Sequence, residues 1–169
     1  MTPYVETSDS AGLENIWAWL AELPDPEVPV VSVVDLGMIR DVEISDGAVR
    51  VSVAPTYSGC PATDVIEQNI VSCLRDKGIA DVTIRRVLSP PWTTDWISEA
   101  GREKLRAYGI APPIGSAGKR SLLGALPKIA CPCCASSNTE QVSEFGSTAC
   151  KASYKCRDCL EPFEYFKCI

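Results

Sequence analysis

Two cysteine pairs, Cys131/Cys134 and Cys156/Cys159, have the spacing of a metal site. A C-x2-C turn can present two sulfurs to one ion, and a second such pair completes a tetrahedron. The gap between the pairs slightly exceeds the usual zinc-ribbon range, which a longer hairpin loop absorbs. A segment of about 40 residues has too little core to fold alone, so the metal would supply folding energy. Structural zinc is the first choice of ion; rubredoxin-like iron or an iron–sulfur cluster is the alternative. Cys133 lies inside the first knuckle and could exchange with a neighbour as ligand. Cys150 and Cys168 flank the second pair and either pack in the ribbon or lie free.

A separate cysteine offers different chemistry. Pro61 suits the first position of a helix, which puts Cys60 at or beside its N-cap. Unpaired amides and the positive end of the helix dipole would stabilise a thiolate there, ready to bind metal or act as nucleophile. Gly59 permits a sharp turn, and Thr56 and Ser58 offer hydroxyls nearby. The residues alone leave Cys60 open between a working thiol and a structural one. Asp25 and Glu27 flank Pro26; they either form a solvated acidic turn or bind a hard metal or polarise Cys60. The chain has no histidine, so Asp and Glu are the expected bases and Cys-His and Ser-His chemistry is excluded.

The elements that must hold these groups follow from periodicity. Leu13, Ile16, Trp17 and Leu20 mark one face of a helix, stopped by Pro24-Asp25-Pro26. Val28 to Val34 is either an edge strand or a packed loop, since it contains Pro29. Asp46-Gly47, between alternating apolar runs, predicts a hairpin over Met38 to Ala54. A second helix runs from Pro61 to about Lys77 with Ile66, Ile70, Cys73 and Leu74 as its apolar stripe, and Cys73 is expected in the core. Val82, Ile84 and Val87 form a third strand, and a helix over about Ser98 to Tyr108 follows. Residues 1–110 thus predict an α+β domain, a small α/β sandwich in the order helix, β-hairpin, helix, strand, helix. Residues 111–128 read as a linker rich in Pro, Gly, Ser and Ala. Residues 129–169 are the four-cysteine ribbon, with strands expected near Gln141–Phe145, Tyr154–Lys155 and Glu164–Lys167.

Bulk composition narrows the function classes. The 169 residues are 46% apolar and 22% charged, which suits folded protein rather than disorder. The net charge of −6 disfavours nucleic acid, whose binders usually carry a basic excess. No run of about 18 apolar residues offers a membrane span. Met1 to Gly12 is polar and acidic and does not read as a signal peptide, so a cytoplasmic location with reduced thiols is expected.

Three motifs together resemble a known family. Asp25-Pro26-Glu27-Val28-Pro29, Val34-Asp35-Leu36-Gly37-Met38 and Thr56-x-x-Gly59-Cys60-Pro61 occur in the order and spacing of the MIP-type, SufT-like iron–sulfur assembly factors. Pro90-Pro91-Trp92-Thr93-Thr94-Asp95-Trp96, Phe145 to Lys151 and Glu161-Pro162-Phe163 narrow the resemblance to the D-protein family of bacterial aerobic phenylacetate degradation. The resemblance implies that Cys60 is the reactive or metal-holding cysteine, with Asp25, Glu27 and Thr56 beside it. It implies an accessory factor rather than a stand-alone enzyme, one that handles iron or an iron–sulfur cluster transiently at an exposed thiol. The implied partners are the reductase and oxygenase components of phenylacetyl-CoA epoxidase and iron–sulfur assembly proteins; a homodimer is left open. The alternative is an electron-transferring component of that complex, with iron in the four-cysteine site. Ala135 departs from the family pattern, where glycine is common after such a knuckle.

Overall fold

The computed structural model describes residues 9–57, 59–115 and 128–167. Helix α1 (Asp9–Ala21) buries Ile16 and Leu20, with Leu13, Trp17 and Trp19 packed partly against the same core. Strands β1 (Ile39–Ser45) and β2 (Ala48–Val53) form the expected antiparallel hairpin. Asp46 and Gly47 both have positive φ, as the tight turn between right-twisted strands requires. Helix α2 (Thr63–Asp76) then crosses over and returns the chain to β3 (Val82–Arg86), which pairs parallel to β2. The sheet order is β1-β2-β3. Ile66, Ile70 and Leu74 of α2 are buried, as their spacing predicts. Cys73 is only half-buried, at the seam with α1, where its thiol faces the Trp19 carbonyl at 4.0 Å. Helix α3 (Glu99–Tyr108) is capped by Ser98, whose Oγ accepts from the Gly101 N–H at 2.9 Å, and Gly109 ends it at φ +92°.

The run Val28 to Val34 is a packed loop. Its one ladder contact is an isolated bridge from Pro24 to Ser32, and Val28, Val31 and Val33 are buried. The following turn is latched from several sides. Asp35 accepts from the Ser32 N–H at 3.0 Å and pairs with Lys104 at 2.6 Å, and its carbonyl accepts from the Ser98 N–H at 2.8 Å. Gly37 sits at φ +66°, and a Cβ there would lie 2.4 Å from the Trp96 carbonyl oxygen, so the close approach requires glycine.

The second sheet has the order β4-β7-β6-β5. Its strands are β4 (Ile110–Ala111), β5 (Thr139–Ser143), β6 (Lys151–Cys156) and β7 (Pro162–Phe166). Strand β4 falls where the sequence suggests that a linker begins. Instead, Ile110 and Ala111 are buried and pair parallel to β7, so α3 runs directly into the ribbon's sheet. Residues 116–127 of the expected linker lie outside the described residues. The ribbon's own core is Ala111, Ile129, Cys131, Ala152, Tyr154, Cys156, Phe163 and Tyr165. Cys150 and Phe166 instead join the core of the first sheet, and Phe166 meets Trp92 at 6.3 Å between ring centroids.

Candidate metal centre and the Cys60 pocket

Two tight turns bring the four ribbon sulfurs together. In the first, the Cys131 N–H donates to the Ser136 carbonyl and the Ala135 N–H to the Cys131 carbonyl, both at 2.9 Å. In the second, the Cys156 N–H donates to the Glu161 carbonyl at 3.0 Å, and the Cys159 N–H points at the Cys156 sulfur at 3.5 Å. This amide, with that of Asp158, draws the Cys156 thiol down to about 7; at Cys159 the amide contact at Glu161 is outweighed by burial and then by the neighbouring sulfurs, which push the thiol up to about 12. Asp158 ties the two turns to each other: it accepts from Asn138 Nδ2 at 2.6 Å and from the Ser136 hydroxyl.

The sulfurs of Cys131, Cys134, Cys156 and Cys159 all lie within 4.8 Å of one another. Cys131 and Cys159 are 3.7 Å apart, and Cys134 and Cys156 are 3.6 Å apart. Metal–sulfur bonds of about 2.3 Å in a tetrahedron place sulfurs about 3.8 Å apart, so the donor set fits a tetrahedral thiophilic ion. Zinc and a single iron would use the same tetrahedron. Bound there, the ion would cross-link the two ends of a module whose core is small. Cys133 is exposed and is not part of this cluster, and Cys168 lies outside the described residues.

The other candidates meet in one place. Asp25, Glu27, Thr56 and Cys60 line a single small cavity with Val28, Leu36, Met38, Ile66, Cys150 and Phe166. Its volume of ≈ 10 Å³ is about that needed for one water molecule. Asp25 builds the turn that delivers Glu27. Its Oδ1 accepts from the Glu27 and Val28 N–H groups at 2.9 and 2.8 Å. Burial pushes Asp25 above the usual carboxylate range despite those two amides. Burial, and then the charge of Asp25, push Glu27 up as well.

The structure corrects two expectations about Cys60. It is 8% exposed, not an open surface thiol. It also does not cap α2. The N-cap is Ala62, because the Cys60 carbonyl accepts from the Thr63 N–H at 3.1 Å in a turn that precedes the helix. What surrounds the sulfur is this half-polar cavity, and Tyr57 is held beside it. Burial first, then the nearby Cys60, push the Tyr57 hydroxyl up to about 12. Ser58 lies outside the described residues. Cys150 is the site neighbour that sequence reasoning missed. Its position just before β6 makes it look like a spare ribbon cysteine in the sequence; its place outside the four-ligand spacing is the only signal the sequence carries.

Comparison with known proteins agrees with this layout. The chain is 48% identical over 158 residues to the Escherichia coli protein named as the putative D component of 1,2-phenylacetyl-CoA epoxidase, covering 93% of each chain. The chain belongs to the epoxidase D-protein family. Residues 115–167 match the PaaD zinc beta ribbon domain, which holds all four clustered cysteines. Residues 13–85 match the iron–sulfur cluster assembly protein family, and this stretch carries Asp25, Glu27, Thr56 and Cys60. The Bacillus subtilis Fe-S protein maturation auxiliary factor YitW is 34% identical over 87 residues, covering 50% of this chain and 84% of that protein. A domain of unknown function, DUF59, from Bacillus anthracis shares the fold, with a TM-score of 0.53 at 24% identity over 57% of this chain and 92% of that one. The chain thus joins a domain of the iron–sulfur cluster assembly family to a PaaD-type ribbon. Among the described residues no helix is long and apolar enough to cross a membrane.

Proposed function

We propose that this chain is an accessory maturation factor for phenylacetyl-CoA epoxidase, and that Cys60 transiently holds iron or an iron–sulfur unit destined for the reductase or the oxygenase component. The observation that carries the reading is the convergence of Asp25, Glu27, Thr56 and Cys60 on one cavity from separate loops. Supporting it, residues 13–85 match iron–sulfur cluster assembly proteins, and 93% of the chain matches a protein named for the epoxidase. The two metal-binding regions have different tasks. Four clustered thiols make a closed structural site, which we assign to zinc. The Cys60 pocket offers fewer soft ligands and carboxylates that are costly to ionise, which suits cargo that must leave again. The cargo is a substrate of this protein, not a resident cofactor.

Replacing Cys60 by Ala tests this in cells that depend on the epoxidase. Epoxidase activity and iron content of its components should fall at least tenfold, while the purified variant keeps its ribbon metal. Unchanged activity and iron content would refute the proposal.

A further inference from the structure

Strand β3 is an outer edge of the first sheet. It pairs with β2 on one side, and among the described residues no strand lies beyond it. Its pairing shows which backbone groups are spare. The Val49 N–H donates to the Asp81 carbonyl at 2.9 Å, and the Val87 N–H donates to the Val53 carbonyl at 2.8 Å. Alternate residues of a strand turn their main-chain groups to opposite sides, so Val82, Ile84 and Arg86 direct theirs outward. An edge of this kind is a template for another strand unless something blunts it. Arg86 does not, because it is tied back to α2, with Nε 2.8 Å from Glu67 and Nη2 2.8 Å from Asp64.

Beside the edge, an open groove of ≈ 540 Å³ lies between Ile84 and the line of α2 that carries Asp64, Glu67, Val71 and Arg75. The acids stand at one end of that line and the arginine at the other. Asp64 and Glu67 share Arg86, which leaves one negative charge over, while Arg75 makes no ion pair among the described residues. On the opposite face of the strand, Asp81 and Arg85 are exposed, and their side chains make no ion pair there either.

We propose that β3 pairs antiparallel with β3 of a second copy of this chain, about a two-fold axis through Ile84. In that register Ile84 meets Ile84 and Val82 meets Arg86, and each of these pairs exchanges both of its N–H···O bonds. Asp81 lies diagonal to the second copy's Arg85, within reach of a long side chain. The two α2 helices run antiparallel, so Arg75 faces the second copy's Asp64 and Glu67 and balances their spare charge, with Val71 between. A peptide of another protein satisfies the ladder alone; the charge pattern fits a second copy. The two sheets become one, and the Cys60 loops, each following the C-terminal end of its own β2, stand at opposite ends of it.

Sedimentation equilibrium of the reduced, zinc-loaded full chain tests this. The wild type should have twice the mass of one chain. Arg85→Asp should raise the dimer dissociation constant at least tenfold, and adding Asp81→Arg should restore it. Ile84→Pro removes only an outward N–H and should also break the dimer; if that variant fails to fold, the charge pair decides. Hydrogen exchange of the Val82, Ile84 and Arg86 amides should slow as protein concentration rises. A monomer at ~100 µM, a dimer indifferent to Arg85→Asp, or a loss that Asp81→Arg does not rescue would overturn the proposal. So would edge amides that slow only when an epoxidase component is added, since another protein would then be the occupant.

Discussion

Asp25 shows how a single residue is placed at the expense of stability. One carboxylate oxygen organises the turn through two backbone amides, yet burial holds the group above its usual range. The folded-state pKa is raised, so this group's contribution to stability is greatest below its unfolded value of about 4 and is lost as pH rises through the folded value. Asp25→Asn keeps an oxygen for both amides and removes the charge, so it should raise the melting temperature at pH 7. Asp25→Ala should lower stability by roughly 1–3 kcal/mol, because the buried Val28 amide and the part-buried Glu27 amide lose their acceptor. Melting curves of the two variants at pH 7 check both signs; a lower melting temperature for Asp25→Asn would show that the charge is stabilising where it sits. At the same scale, the four ribbon ligands were legible because ligand spacing is local in sequence. Cys150 was not, since its partner in space, Cys60, belongs to the other module.

Among the elements, the hairpin, α2 and α3 follow from alternation, 3.6-residue periodicity and glycine stops, all of which act over a few residues. The Val28–Val34 loop and strand β4 do not. The first is fixed by latches to Asp35, Lys104 and Ser98, and the second by a strand far along the chain. The same loop latch gives a prediction. Gly37→Ala must place its Cβ against the Trp96 carbonyl in a left-handed backbone, which should cost roughly 2–4 kcal/mol in chemical denaturation; a loss below 1 kcal/mol would contradict the latch. In the first knuckle Ala135 occupies the glycine position of such turns at φ +60°. Ala135→Gly should stabilise the metal-loaded ribbon by up to about 1 kcal/mol, seen as slower release of zinc to a chelator, and faster release would show that the alanine carries no strain.

Across the whole molecule, the two modules share a seam. Strand β4 passes from one to the other, and Cys150 and Phe166 of the ribbon complete the first core. A metal held by the ribbon would therefore bear on the Cys60 pocket at a distance. Stripping it with a strong chelator should loosen the ribbon and speed alkylation of Cys60 at least tenfold, with zinc restoring protection. Equal rates with and without zinc would show that the wall stands on packing alone. Passage of iron from Cys60 to the epoxidase is measured by loading the purified chain with labelled iron under anaerobic conditions, mixing it with metal-free epoxidase components, and counting the label that moves. Transfer is expected from the wild type and not from Cys60→Ala with its zinc still bound; equal delivery by the variant would show that Cys60 does not carry the iron.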